Sequence, residues 1–408
     1  MNGTIIRICR VLAVTLFGVC ALWSSANATL VTAEQICSWV DDVPATPTSV
    51  TPRAALYTQL LAGAQKLEMR FRPELQGWKS AVLSLYNPQG KAELQLRIIP
   101  PCNVIQGREL IRRDGQVVEI ATLDAALKPV SFEPQNPPFV AGLPVPTHHQ
   151  APFLALVDTG VNYLLPEFQR NLARGTDGQL LGYDFWDEDK LPFDKDPRRN
   201  PFYPLHHGST VFSILNKEAD THPIAIYRFP ALNMCRFSSL IKHASALGIR
   251  IITMSMGSVE QSDWQCFYEE AAKHQQILFT VSAGNDGMDI TKVPVYPASF
   301  DLKNMLVVTS SDLFGRLGAV SNYSKTEVDV MVPAEQVEVI DHRGVRVMAG
   351  GTSYAAPRLA ALAARYLRAN PTADTQQIIS FIRSRAIASA EGVTLFGWIP
   401  DPSDDFGF

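Results

Sequence analysis

From Phe153 onward, short apolar runs alternate with stretches at helical spacing, and few folds accommodate that alternation. Phe153–Asp158, Ala225–Phe229, Ile249–Ser255, Ile277–Ser282 and Met305–Ser310 read as buried strands. Val211–Leu215, Ser238–Leu247, Tyr268–His274 and the Ala- and Leu-rich Ser353–Ala369 read as helices. The pattern predicts an α/β fold with a parallel sheet flanked by helices, because strands apolar along their whole length must be covered on both faces. Ligands of such sheets bind beyond the carboxyl ends of the strands.

Three short motifs fall where that rule wants them. Asp158-Thr159-Gly160 ends the first apolar strand, His207-Gly208-Ser209-Thr210-Val211 opens a helix, and Gly350-Gly351-Thr352-Ser353-Tyr354-Ala355-Ala356-Pro357 opens the long Ala-rich helix. A hydroxyl at a helix start sits at the positive end of the helix dipole. Serine is a weak nucleophile without a base in contact. Histidine can take that proton near neutral pH and return it to a leaving amine, while a buried carboxylate fixes the imidazole tautomer. A fourth motif, Ser282-Ala283-Gly284-Asn285, follows another strand, and the Asn285 amide is placed to meet an oxyanion. Taken singly, Asp158 reads as a turn residue, His207 as a helix-cap residue, Ser353 as an N-cap and Asn285 as a turn former. The four together point to acyl transfer.

The order acid, base, oxyanion donor, nucleophile resembles the subtilisin-like serine proteases. Two further segments are similar to that family. Thr253-Met254-Ser255-Met256-Gly257 resembles the strand that pairs with substrate, and Val295-Tyr296-Pro297-Ala298 resembles a segment at the specificity pocket. The resemblance covers about Phe153 to Ala369. It implies a serine endopeptidase acting on peptide or protein substrates, with Asp158, His207 and Ser353 as the triad and Asn285 as the oxyanion donor. Ser255, Met256, Gly257, Ala283, Gly284 and Val295 would then contact substrate. Val295 stands where many relatives have glycine, which implies a narrowed pocket preferring small or medium apolar side chains. A latent binding protein on the same fold and an esterase are the rival readings, the latter without the G-x-S-x-G elbow common in esterases.

The sequence also departs from that pattern. Asp158 and His207 lie 49 positions apart, a long separation for compact members. The extra chain, Gly182 to Pro204, carries Asp184, Asp187, Glu188, Asp189, Asp194 and Asp196. It reads either as a solvated acidic loop or as a calcium loop using Asp187, Asp189 and Asp194; no other metal or cofactor is expected. The stretch from His207 to Ser255 is short, leaving Pro230-Ala231-Leu232-Asn233 as a reduced rim to the substrate groove.

The remaining chain suggests export and a second domain. Arg7 and Arg10 precede an apolar run from Val11 to Trp23 and a small-x-small site at Ala26-Asn27-Ala28, so residues 1–28 read as a secretory signal. The run is shorter than the roughly 20 residues a spanning helix needs, so no membrane association is expected after cleavage. Cys37, Cys102, Cys235 and Cys266 would remain, an even number suited to two disulfides in an oxidising compartment. Cys37–Cys102 and Cys235–Cys266 are favoured among three pairings because each lies within one domain. Residues 29–128 read as a small α/β domain, with a helix over Ala54 to Phe71 and strands at Ala81–Tyr86, Ala92–Ile99 and Val117–Ala121. It is either a prodomain that inhibits the enzyme intramolecularly or a permanent accessory domain. The Pro-rich stretch 129–152 is expected to be an extended linker or arm. The main domain should run from 153 to 396 with an acidic tail over 397–408, and the end from Gly392 to Phe408 reads as a surface strand and frayed tail. Asn322-Tyr323-Ser324 fits a glycosylation acceptor. A hydrophobic content of 46% excludes a disordered chain, and a net charge of −4 with no basic block excludes nucleic acid as the main partner.

Overall fold

The computed structural model describes residues 31–139, 154–219, 222–229 and 233–408. The expected signal segment, most of the Pro-rich stretch and residues 230–232 of the reduced rim lie outside the described residues.

The N-terminal domain begins with α1 (Ala33–Asp41), closed at its start by a capping box between Thr32 and Gln35. An eight-stranded antiparallel sheet follows in simple sequential order. Its strands are β1 (Ser49–Thr51), β2 (Ala54–Leu60), β3 (Lys66–Pro73), β4 (Trp78–Tyr86), β5 (Ala92–Ile99), β6 (Asn103–Arg113), β7 (Gln116–Leu123) and β8 (Pro129–Pro134). The helix expected over Ala54 to Phe71 is not formed. Leu67, Met69 and Phe71 are buried while Lys66, Glu68 and Arg70 are not, a period of two that only a strand satisfies. Gly63, with φ +71°, turns the chain between β2 and β3. One sheet face packs under α1, through Ile36, Leu83, Leu96 and Ile98. The disulfide Cys37–Cys102, with Cα atoms 5.2 Å apart, ties α1 to the β5–β6 turn.

The first residues of the expected linker are β8, the edge strand of this sheet, so the N-terminal domain extends beyond residue 128. Proline at both ends of β8 suits an edge, where a missing N–H costs little.

The second domain is the predicted parallel sheet. Its strands are β9 (Leu154–Asp158), β10 (Gly182–Asp184), β11 (Ile224–Arg228), β12 (Ile251–Met254), β13 (Leu278–Ser282), β14 (Met305–Ser311) and β15 (Val330–Pro333), with a hairpin β16 (Val337–Ile340) and β17 (Arg346–Ala349) and a last strand β18 (Gly397–Trp398). The sheet order is β10-β11-β9-β12-β13-β14-β15-β18, parallel throughout. Alternate residues of β9 feed two cores. Leu154 and Leu156 face α2 (Gly208–Glu218), α5 (Thr352–Ala369) and α6 (Thr375–Ser384). Ala155 and Val157 face α3 (Phe237–Ala246) and α4 (Gln265–Lys273). Cys235–Cys266, with Cα atoms 4.8 Å apart, links the segments that lead into α3 and α4.

The C-terminal segment carries the expected strand but is not frayed beyond it. β18 pairs with β15, Ile399 is fully buried, and Asp405 and Asp404 accept hydrogen bonds from Arg365 and Arg385. No described helix is long and apolar enough to cross a membrane.

Candidate functional site

The cleft lies at the carboxyl edge of the sheet. Asp158 is the last residue of β9, Ser255 to Gly257 follow β12, and Ala283 to Asn285 follow β13. His207 caps α2 and Ser353 stands in the first turn of α5. Asp158, His207, Ser353, Asn285, Ser255, Met256, Gly257, Gly284 and Val295 all line this one cleft. Ala283 does not line it. It is fully buried behind the wall, and its carbonyl accepts from Asn322.

Two glycines explain how Asp158 and His207 meet. A Cβ on Gly208 would stand 1.9 Å from the Gly160 carbonyl oxygen, so the α2 start can approach the β9 end only without side chains. Gly160 has φ +99°, and a Cβ there would strike the backbone at Phe193. In this close packing, His207 Nδ1 and Asp158 Oδ1 are 2.8 Å apart. The Thr159 N–H also donates to that oxygen at 2.7 Å. Burial works against a charged His207 ring, but the Asp158 carboxylate outweighs it and holds the ring above the ordinary imidazole value. The geometry puts a proton on Nδ1 and leaves the lone pair on Nε2.

The Thr159 hydroxyl organises the α2 start. It accepts from the Gly208 N–H at 2.7 Å and donates to Asp194 Oδ1 at 2.6 Å. The other Asp194 oxygen accepts from the Ser209 N–H at 2.8 Å. Asp194 therefore caps the helix that carries His207, with burial pushing its carboxyl up against these hydrogen bonds.

This bears on the calcium expectation. Asp194 is fully buried and committed to the helix start. Asp187 pairs with Lys195 at 2.9 Å and Arg228 at 2.9 Å. Asp189 accepts from Asn136 and the Leu191 N–H. Two cations already stand among these acids, and the three carboxylates serve separate partners. That arrangement does not fit a shared calcium ion. Arg228, fully buried at the end of β11, is the centre of the loop: it binds Asp184 at 2.7 Å and the Lys195 carbonyl at 3.0 Å, and its guanidinium lies 4.7 Å from the Trp186 ring. Asp184 is pushed up by burial against the pull of Arg228. The same loop supplies Asp196 and Arg198, with Leu205 just after it, to the cleft lining, a contribution that composition alone did not reveal.

Asn285 is oriented by Thr352. Its Oδ1 accepts from the Thr352 N–H at 2.9 Å and hydroxyl at 3.1 Å, which turns the Nδ2 donors away toward the cleft. Asn322 fixes the same loop: its Oδ1 accepts from the Asp286 and Met288 N–H groups. Asn322 is fully buried with both ends of its amide engaged, so it is not an accessible glycosylation acceptor. Its role leaves no signal in the sequence beyond a motif that reads otherwise.

Val295 is nearly buried at the base of the cleft. A Cβ on Gly257 would lie 3.3 Å from a Val295 methyl, and one on Gly284 would lie 3.8 Å from the same methyl. Val295 thus fills the space between the two glycine-bearing walls.

Residues 149–398 match the model of the subtilase family, Peptidase_S8. No curated protein sequence matches. Similar solved structures include a cold-adapted subtilisin-like serine proteinase, 22% identical, covering 64% of this chain and 94% of its own, with a TM-score of 0.49. Another is the epidermin leader peptide processing serine protease EpiP from Staphylococcus aureus, 17% identical, covering 62% and 75%, with a TM-score of 0.48. A third is the nisin leader peptidase NisP from Lactococcus lactis, 14% identical, covering 59% and 84%, with a TM-score of 0.48.

Proposed function

The chain belongs to the subtilase family, and from that premise we propose that it is an exported serine endopeptidase that cleaves peptide bonds through an acyl-enzyme on Ser353. The Asp158–His207 contact at 2.8 Å, in the same cleft as Ser353 and Asn285, carries this reading. His207 Nε2 takes the Ser353 proton as the hydroxyl attacks the scissile carbonyl. Asp158 holds the ring and stabilises the imidazolium. Asn285 Nδ2 and the Ser353 N–H meet the oxyanion. His207 then gives its proton to the leaving amine, and water repeats the sequence on the ester. The backbone of Ser255-Met256-Gly257 pairs with the extended substrate. The paired cysteines fit an oxidising compartment and support export.

The N-terminal domain is an accessory domain on this reading. None of the described cleft-lining residues comes from it. It docks on the flank instead: Phe202 of the inserted loop is buried among Ala92, Leu110 and Ile120, and Arg108 donates to the Phe202 carbonyl at 2.7 Å.

A fluorophosphonate probe on the purified chain, beside Ser353→Ala, tests the function. Labelling of the parent alone, with peptide turnover, is the expected result. No labelling of the folded parent would favour the latent binding protein. Turnover of esters but not of peptides with the same acyl group would favour an esterase.

A further inference from the structure

Outside the cleft lining, three side chains of metal-ligand type converge from separate segments. Glu133 comes from β8 of the N-terminal sheet, His206 from the segment before α2, and His342 from the turn between β16 and β17. One donor atom from each lies within 4.8 Å of the others, and all three residues are partly buried. The proposed peptide chemistry uses none of them.

Each is oriented from behind. His206 Nδ1 meets the Asp194 carbonyl oxygen at 2.6 Å, which places a proton on that nitrogen and turns Nε2 toward Glu133 Oε1 at 3.1 Å. Arg108 holds the other carboxylate oxygen, Oε2, at 3.1 Å. The His342 carbonyl accepts from Asn162 Nδ2 at 2.6 Å, fixing its turn, and its ring stacks on His206 with centroids 3.7 Å apart. A ring N–H on a backbone carbonyl and a carboxylate held by a further donor are the outer contacts that orient ligands to transition metals. Two imidazoles and a carboxylate are a zinc donor set, and nitrogen donors argue against calcium.

We propose that Glu133, His206 and His342 bind one divalent transition-metal ion of the zinc type, which fastens the N-terminal sheet to the parallel-sheet domain beside His207. Binding draws the donor atoms to about 2.0–2.2 Å from the ion. It turns the His342 ring out of its stack so that a lone pair meets the metal, and it displaces the proton shared by His206 Nε2 and Glu133. Solvent takes the fourth position. The three ligands span two domains, so the ion adds its binding free energy to domain docking.

Native mass spectrometry of the full-length, untagged Ser353→Ala chain tests this. Metal-free protein is titrated with zinc, and cobalt absorption reports coordination geometry. The expected result is one zinc per chain and tetrahedral cobalt bands, with His342→Ala and Glu133→Gln each weakening zinc at least ~10-fold. His342→Ala leaves the His206–Glu133 contact in place, and Glu133→Gln keeps the shape of the side chain, so one of the two remains informative if the other fails to fold. No one-to-one zinc adduct, or a zinc affinity unchanged from the parent in both variants, would overturn the proposal. The readout does not need catalysis, so its failure and that of the protease reading are separable.

Discussion

The carbonyl oxygen of Ser353 accepts a hydrogen bond from the Ser255 hydroxyl at 3.0 Å, and Pro357 explains why that oxygen is free. In α5 the residue four positions after Ser353 would ordinarily donate its N–H to this carbonyl, and proline has none. Ser255 therefore supports the helix start that carries Ser353, the proposed nucleophile, from the segment proposed to pair with substrate. Ser255→Ala, made in a Ser353→Ala background to stop self-cleavage, should destabilise by about 0.5–1.5 kcal/mol, the net worth of a hydrogen bond between partly buried groups. Pro357→Ala restores a backbone donor, so the same change should then cost less, with a coupling of about 0.5–1.5 kcal/mol. Urea unfolding of the four combinations measures it, and strict additivity would refute the account.

The Asp158 carboxylate holds His207 above the ordinary imidazole value, and the base must be neutral to act. Peptide kcat/KM should rise with pH through that elevated value, so the acid limb should sit above about 6.5. Asp158→Asn should move the limb down and lower kcat by about 10⁴-fold, because the tautomer is no longer fixed. Stability runs the other way. A raised histidine pKa contributes stability that is fully present below about 6.5 and is lost as pH rises through the folded value. A limb unmoved in Asp158→Asn would show that another group sets it.

The alternation of apolar and helical stretches located the parallel sheet well, because every residue of a strand such as β9 is buried and leaves a continuous apolar run. The motifs carry Asp158, His207, Ser353 and Asn285 into one cleft, and the glycines beside them mark close approaches, of backbone at Gly160 and Gly208 and of side chains at Gly284 and Gly351. Composition failed where charge has a hidden partner. The acidic run Gly182 to Pro204 reads as solvated or calcium-binding until Arg228 is placed at its centre, and Arg228 is the last residue of a strand far along the chain. The N-terminal helix expectation failed because Leu60, Leu61 and Leu67 satisfy helical spacing while Leu67, Met69 and Phe71 satisfy a strand; the turn at Gly63 decides between them. The tail was misread because Arg365 and Arg385, which hold Asp405 and Asp404, sit in or just after helices whose apolar faces dominate the pattern.

Val295 closes the base of the cleft between Gly257 and Gly284. Val295→Gly opens that space, so cleavage after Phe or Leu should gain relative to cleavage after Ala. Filling a hydrophobic pocket by one or two methylenes is worth about 1–3 kcal/mol, or roughly 10–200-fold in relative kcat/KM. Competing peptides that differ only at the residue before the cut report the ratio. An unchanged ratio would mean that Val295 does not bound the pocket.

Arg228 neutralises Asp184 and Asp187 with its own side chain fully buried. Arg228→Met should strand Asp184, while Asp187 keeps Lys195, and destabilise the chain by about 3–5 kcal/mol, the usual cost of breaking a buried pair from one side. Asp184 is pushed up by burial even with its partner present, and without Arg228 it should rise further, so the variant should recover part of its loss as pH falls and Asp184 takes a proton. Asp184→Asn in the same background should remove that pH dependence while keeping the loop's shape. Adding calcium to the parent chain distinguishes the two accounts of the loop. If the acids are built to meet cations of the chain, calcium leaves the parent midpoint unchanged, whereas a rise in the parent midpoint on adding calcium would restore the calcium reading.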